Sequence, residues 1–124
     1  MGKDVFAGMS REEQAKSLAL QTGSYVVLKG PHSIVADPSG GISYNLSGCT
    51  ALATAGSGDV LSGITGALLG RPGADILQSV RGGVLIHGLT GEYAAPLPSS
   101  GRGVTADDLL EQIVPVMRDI SPFA

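Results

Sequence analysis

The sequence predicts an α/β fold, because two kinds of apolar pattern follow one another along its 124 residues. Short apolar runs typical of strands occupy residues 25–46 and are bounded by glycine and proline. Apolar residues with helical spacing precede these runs at 10–23 and follow them from 59 to 120. We therefore expect one helix, then three strands that include a hairpin, then three helices.

The first helix is predicted from SREEQAKSLALQTG, residues 10–23. Ser10 and Glu13 have the spacing of a capping box, in which each side chain accepts a hydrogen bond from the other residue's amide. Gly23 is suited to end the helix, because glycine adopts the left-handed conformation of a helix C-terminus without steric penalty.

The strands are predicted from three runs. YVVLKG (25–30) is continuously apolar before its lysine, which is typical of a strand covered on both faces. HSIVAD (32–37) and ISYNL (42–46) flank the turn DPSGG and predict a hairpin. SGCTALATAGSG (47–58) is rich in small residues and has no clear period, so we expect a loop there.

The three later helices are predicted at 59–70, 74–95 and 105–120. In the last of them Thr105 is the expected N-cap, and Pro115 is expected to kink or shorten the helix. Three strands are few for a self-sufficient α/β sheet. We therefore expect the chain to be the second half of a larger domain.

Composition excludes several classes of function. The formal net charge is −3 and the eight Lys and Arg residues form no run, which argues against nucleic-acid binding and against a membrane-binding patch. The single cysteine, Cys49, has no second thiol for a disulfide or a zinc site. Because no apolar signal segment or membrane span is present in the sequence, we expect a cytoplasmic protein.

The candidate site is the segment Gly56-Ser57-Gly58-Asp59, where a glycine loop meets the predicted second helix. The first amides of a helix have no partner within it, and the helix dipole adds partial positive charge there. Glycines let a phosphate approach such amides closely. A carboxylate beside them is suited to take a proton from a hydroxyl during phosphoryl transfer.

A purely structural interpretation of this segment stays open, while two known phosphate-binding motifs are excluded. Asp59 is equally compatible with a helix-capping acid, and the glycines with close packing alone. A Walker loop is excluded because no Gly-Lys-Ser/Thr follows, and a dinucleotide fingerprint would need a third glycine where Leu61 stands.

Longer segments carry a family resemblance. VVLKGPHSIVADPSGGISYNLSG, ATAGSGDVLSGITGALL and GVLIHGLTGEYAA resemble, in order and spacing, the C-terminal part of the NAD(P)H-hydrate dehydratases, between about residues 25 and 112. The resemblance implies the C-terminal half of a ribokinase-like, three-layer α/β/α domain. It implies an enzyme that returns hydrated NADH or NADPH to the working cofactor with ADP or ATP and Mg²⁺, by phosphorylating the hydrate hydroxyl and then eliminating phosphate.

The resemblance also implies site residues. Asp59 matches the family's acid, which contacts the hydrate and acts as the base, while Gly56 and Ser57 complete an anion hole with backbone amides. Lys29 would otherwise be only a solvated strand end, and no protein metal ligand is expected. The residues matched to nucleotide contacts are Lys29, Gly30, Pro31, His32, Ser33, Gly56, Ser57 and Gly58.

The chain also departs from the family pattern. Cys49-Thr50-Ala51-Leu52 replaces a common Asn-Pro-Gly-Met, and Ala55 replaces a common glycine, so the preference for ADP or ATP is left open. We expect Cys49 to be a small buried residue and His87 to be a hydrogen-bonded core histidine rather than a base. We expect Asp75, Asp107 and Asp108 to be helix-start acids.

Family domains are about twice as long as this chain, so we expect it to be inactive alone or to pair with another chain. The family resemblance implies a homo-oligomer, a tetramer in the family. Two alternatives stay open at this point. One is a small-molecule kinase of the same superfamily, acting on a vitamin or sugar. The other is an inactive fragment that serves as a nucleotide-binding or oligomerisation module.

Overall fold

The computed structural model describes residues 6–95 and 103–120 of the chain. The chain divides into two compact units, Met1–Asn45 and Leu46–Ala124, and each is described by itself. Within the described residues, no helix combines the length and the apolar character that a membrane crossing requires.

The first unit consists of one helix and one small sheet. Helix α1 spans Arg11–Thr22, and strands β1, β2 and β3 span Val26–Leu28, Ile34–Ala36 and Ile42–Tyr44. The strands are antiparallel and lie in the order β1-β2-β3, so the predicted hairpin is confirmed as the β2–β3 pair. The same chain order of one helix followed by strands was predicted from the apolar patterns.

The capping prediction for α1 is confirmed. The Ser10 hydroxyl accepts from the Glu13 amide at 3.1 Å, and the Glu13 carboxylate accepts from the Ser10 amide at 3.1 Å. Gly23 closes the helix in the left-handed conformation, with φ of 64°. Local sequence therefore determines both ends of α1.

The core of the first unit lies between α1 and the sheet. Its buried residues are small except for one isoleucine, and they are Ala15, Ala19, Ile34 and Ala36. Strand β1 was expected to be covered on both faces, but its three residues are only half-buried. The reason is its position: within the described residues β1 pairs with β2 alone, at the edge of an antiparallel sheet.

The turn between β2 and β3 is closed by the Asp37 carboxylate. One oxygen accepts from the amides of Ser39 at 2.8 Å and Gly41 at 3.1 Å, and from the Ser39 hydroxyl. These hydrogen bonds, with the Ser39 hydroxyl foremost, hold the pKa of Asp37 below its ordinary value. The carboxylate is therefore part of the turn structure.

The second unit is helical. Helices α2, α3, α4 and α5 span Ser57–Leu69, Ile76–Ala94, Ala106–Glu111 and Ile113–Ile120, and a 3₁₀ turn spans Thr50–Leu52. Helix α2 starts two residues earlier than predicted. The 3₁₀ turn lies inside a segment predicted to be a loop, and a single turn is too short to show a period in the sequence.

The last predicted helix, 105–120, is split into α4 and α5 at Gln112. Proline clashes with the carbonyl four residues before it and has no amide hydrogen to donate. For Pro115 that carbonyl belongs to Glu111, the last residue of α4. The break predicted from Pro115 is therefore observed, but one turn before the proline itself.

The core of the second unit forms around α3, which packs against α2, α4, α5 and the 3₁₀ turn. Glycines on α3 allow other segments to approach its backbone. A Cβ atom on Gly83 would lie 3.1 Å from Thr65 Cα, and one on Gly88 would lie 2.9 Å from the Ser47 carbonyl carbon. The buried apolar residues of this core are Ala51, Val60, Ile64, Ile86, Val104, Leu109 and Val116.

Candidate functional site

The start of α2 is shaped by Gly56, the N-cap residue. Its backbone is left-handed, with φ of 86°, which only glycine adopts easily. A Cβ atom there would also lie 3.1 Å from the Ala106 Cβ, at the start of α4. Backbone conformation and crowding both require a glycine at this position.

Two adjacent amides are left open at this helix start. The Ser57 amide donates to the Thr54 carbonyl at 3.1 Å, and the Val60 amide donates to the Gly56 carbonyl at 3.1 Å. Between them, the amides of Gly58 and Asp59 have no acceptor among the described residues. They lie at the positive end of the helix dipole, where an anion is favoured.

The Asp59 side chain is exposed and lies in the first turn of α2. Its carboxylate is therefore accessible to solvent. A negative side chain is favoured at this end of a helix whatever else it does. The position therefore fits both the capping acid and the base that the sequence left as alternatives.

Ser57 differs from its glycine neighbours because its side chain is buried, with 5% of its surface exposed. Its hydroxyl lies 2.9 Å from Nε2 of His87 on α3. His87 is itself 8% exposed. The prediction that His87 is a hydrogen-bonded core residue is confirmed, and the bond joins the glycine loop to the central helix of this unit.

The segment leading into the 3₁₀ turn is also tied to α3. The Ser47 hydroxyl donates to the Leu85 carbonyl at 3.2 Å, and the Gly48 amide donates to the Glu92 carboxylate at 3.0 Å. Cys49 is a free, half-buried thiol packed against the core.

Asp75 and Asp108 are confirmed as capping acids. Asp75 accepts from the Gln78 amide in the first turn of α3, and Asp108 accepts from the amide of the N-cap residue Thr105.

The other predicted nucleotide segment, residues 29–33, belongs to the first unit. Lys29, Gly30, Pro31 and His32 are exposed, and Ser33 is half-buried. The Arg11 guanidinium braces this loop, since it donates to the Leu28 carbonyl at 3.2 Å and to the His32 carbonyl at 3.3 Å. Arg11 thus holds the backbone at both ends of the loop, while the side chains of residues 29–32 are exposed to solvent.

The nine predicted site residues therefore fall into two groups, one in each compact unit. Residues 29–33 share one loop of the first unit, and Gly56, Ser57, Gly58 and Asp59 share one helix start of the second. The sequence did not predict the Arg11 contacts, the hydrogen bond from the Gly48 amide to Glu92 or the bond between Ser57 and His87. No short-range signal exists for them, because their partners lie 17 to 44 residues away.

Among the described residues, no group of three or more His, Cys, Asp or Glu side chains is arranged to hold a metal ion. Magnesium is commonly bound by one or two carboxylates together with substrate phosphates and water. The helix start, with two open amides that favour a phosphate, is compatible with an ion that is carried mainly by the nucleotide.

Comparison with known protein families gives one assignment. The family model described as NAD(P)H-hydrate dehydratase matches residues 1–115 of the chain. A bifunctional NAD(P)H-hydrate repair enzyme of Thermofilum pendens is 50% identical over 86 residues, which cover 69% of the chain. An ADP-dependent (S)-NAD(P)H-hydrate dehydratase of Neisseria meningitidis serogroup B is 42% identical over 96 residues, which cover 77% of the chain.

A solved structure resembles the chain as well. It is an ADP/ATP-dependent NAD(P)H-hydrate dehydratase from Bacillus subtilis, co-crystallized with ATP/Mg²⁺, with a TM-score of 0.80 and 30% identity. The match covers 89% of this chain but 39% of the Bacillus subtilis chain. The chain likewise spans only 16% of the Thermofilum pendens relative and 31% of the Neisseria meningitidis relative.

Proposed function

The chain belongs to the NAD(P)H-hydrate dehydratase family, and from that membership we propose that it carries the nucleotide- and anion-binding part of such an enzyme. The proposed reaction returns NAD(P)H hydrate to NAD(P)H with ADP or ATP as co-substrate. The observation that supports it is the pair of open amides at Gly58 and Asp59, next to the exposed Asp59 carboxylate. The family match favours this reaction over the small-molecule kinase that the sequence left open.

The proposed chemistry has two steps. First, the hydrate hydroxyl attacks the terminal phosphoryl group of the nucleotide, Asp59 accepts the hydroxyl proton, and the shortened nucleotide leaves. The two amides stabilise the negative charge that develops on the transferred group. Second, the carbon–oxygen bond breaks and phosphate leaves, and loss of a proton from the neighbouring carbon restores the ring double bond. Phosphate is a far better leaving group than hydroxide.

The loop at 29–33 is also proposed to contact a nucleotide. Lys29 offers an exposed positive charge, and Ser33 offers a hydroxyl on a backbone held by the Asn45 amide, which donates to the Ser33 carbonyl at 2.8 Å. Mg²⁺, when bound with the nucleotide, would neutralise phosphate charge.

The extent of the site is also part of the proposal. Because the chain spans less than half of its structural neighbour, we propose that residues 1–124 are the C-terminal half of the domain. Under this proposal the hydrate-binding segments lie outside these residues, and turnover requires another chain or a longer one. Assembly into a homo-oligomer and a cytoplasmic location remain predictions.

A titration of the ¹⁵N-labelled chain tests the nucleotide site directly. We expect ADP with Mg²⁺ to shift the amide signals of Gly58 and Asp59, and adenosine to leave them unchanged because it has no phosphate. Asp59→Asn is the matched variant, since it keeps the shape and the amide but removes the base. It should retain nucleotide binding, whereas a chain in which ADP moves neither amide would contradict the proposal.

A turnover assay tests the chemical role and the extent of the site. With hydrate, Mg²⁺ and ADP, we expect the isolated chain to form no NADH. Any longer or paired form that does turn over should lose the activity in Asp59→Asn. Full turnover by the isolated chain would show that the half-site proposal is wrong.

A further inference from the structure

We propose that His87 is a positioning residue, which acts through its hydrogen bond to Ser57 to hold the first turn of α2 in the conformation that binds an anion. The inference rests on the proposed function, because it concerns the amides of Gly58 and Asp59. It assigns a role to a buried histidine that takes no part in the two chemical steps. It also explains why one non-glycine residue stands between Gly56 and Gly58.

This bond is made by the residue that immediately precedes the two open amides. Ser57 is the first residue of α2, and the next two residues along the chain are Gly58 and Asp59. The Ser57 hydroxyl and His87 Nε2 are 2.9 Å apart, and both side chains are more than nine-tenths buried. Ser57 therefore faces inward, while Asp59, two residues on, is exposed.

The partner of Ser57 lies on α3, which packs against the other described helices of the second unit. His87 stands next to Ile86, which belongs to the core, and its carbonyl accepts from the fully buried Thr90 hydroxyl at 2.6 Å. A hydrogen bond to such a residue ties the start of α2 to the packed helix α3. Ser57 thus transmits the position of α3 to the helix start.

The loop needs such a restraint because of its composition. Glycine loses more backbone freedom on ordering than any other residue, and Gly56 and Gly58 flank Ser57. If the turn were unrestrained, an anion would have to order it on binding, and this would weaken the affinity. The Ser57 bond orders the turn beforehand. Preorganised donors are also the ones that stabilise a transition state most effectively.

A buried Ser–His pair also has a catalytic interpretation, in which the histidine activates the serine as a nucleophile. That role requires the hydroxyl to reach a substrate. The Ser57 side chain is 5% exposed and faces the core, so the structure favours the positioning role.

The test compares substitutions of His87 that keep or remove the hydrogen-bonding group facing Ser57. His87→Gln places an amide nitrogen close to the position of Nε2, whereas His87→Leu removes the polar contact. Ser57→Ala removes the other partner. Ser79→Ala is the matched control, because Ser79 is also a buried serine of this unit, with its hydroxyl 3.5 Å from the Leu68 carbonyl. Each variant is titrated with ADP and Mg²⁺ and followed at the Gly58 and Asp59 amides.

We expect Ser57→Ala and His87→Leu to weaken ADP binding by about fivefold, the equivalent of one net hydrogen bond. His87→Gln and Ser79→Ala should stay within about twofold of the parent chain. Hydrogen exchange of the Gly58 and Asp59 amides without ligand should become faster in Ser57→Ala and stay unchanged in Ser79→Ala. Folding of each variant is checked by its amide spectrum.

The outcomes separate the two proposals. If ADP shifts Gly58 and Asp59 in the parent chain, but Ser57→Ala and His87→Leu bind as tightly as Ser79→Ala, the positioning role is overturned and the nucleotide site stands. If ADP moves neither amide in the parent chain, the proposed function is overturned, and this inference with it. If His87→Leu fails to fold, Ser57→Ala and His87→Gln decide the question.

Discussion

Gly56 shows how much a single residue determines at the candidate site. Gly56→Ala would place a side chain on a backbone with φ of 86° and 3.1 Å from the Ala106 Cβ. We expect the free energy of unfolding to fall by about 1–3 kcal/mol. Gly63→Ala is the matched control on the same helix, since no described atom beyond its chain neighbours and the adjacent helix backbone lies within 4 Å of its Cβ position. It should raise the free energy of unfolding by about 0.5–1 kcal/mol, the helix preference for alanine. Urea denaturation of both variants measures the difference, and an equal effect of both would contradict this account.

The Asp37 carboxylate leads to a prediction, also for a single residue, of how stability depends on pH. Its hydrogen bonds lower its pKa below the ordinary value of 3.8, so the folded state favours the ionised form. A lowered folded-state pKa contributes stability above the unfolded pKa, and this contribution disappears as pH falls through the folded value. We expect the unfolding temperature of the parent chain to fall in that acidic window. The unfolding temperature of Asp37→Asn, whose side chain cannot ionise, should fall less. Parallel pH dependences of the two proteins would show that the turn carboxylate is not responsible.

At the scale of elements, the effect of replacing a glycine of α3 by alanine depends on whether another segment packs against that glycine. Gly88→Ala would bring a Cβ atom to 2.9 Å from the Ser47 backbone, and we expect a loss of about 1–3 kcal/mol from overpacking. In Gly82→Ala the nearest atom, Leu68 Cδ1, lies at an ordinary 3.5 Å. This substitution should instead stabilise the helix by about 0.5–1 kcal/mol. Urea denaturation distinguishes the two, and a stable Gly88→Ala variant would mean that the Ser47 segment moves aside easily.

The elements also show which structural features could be predicted from the sequence and which could not. The caps of α1 and the β2–β3 hairpin were predicted correctly, because their signals lie within a few residues of one another. The incomplete burial of β1 was not predicted, because burial depends on the neighbours of a strand and not on its own apolar run. The helix break came one turn before Pro115 because the clash of a proline falls on an earlier carbonyl.

The same limit applies to the candidate site. Its contiguous residues, Gly56 to Asp59, were predicted from local sequence and stay a prediction. The amide of Ser57, which was expected to help form the anion hole, is used by Thr54, and the structure leaves the amides of Gly58 and Asp59 open instead. The use of the Ser57 amide by Thr54, and of its hydroxyl by His87, required the folded chain. Long-range contacts of this kind leave no periodic pattern in a single sequence.

At the scale of the whole molecule, the two units differ in the size of their cores. Among the described residues, the buried cluster of the first unit contains three alanines and Ile34, whereas that of the second contains six larger aliphatic residues and Ala51. Burial of larger apolar side chains contributes more free energy. We therefore expect native-state hydrogen exchange to show a lower opening free energy for the β2 amides than for those of α3. Equal protection of both would mean that the cores do not set the local stability.

The bond between Ser57 and His87 spans 30 residues of chain. During synthesis, Ser57 is made well before its partner, so a nascent polypeptide that stops short of His87 carries the glycine turn without its anchor. The proposed phosphate site at the start of α2 is therefore completed late in folding, only after α3 has been synthesised and has packed against α2.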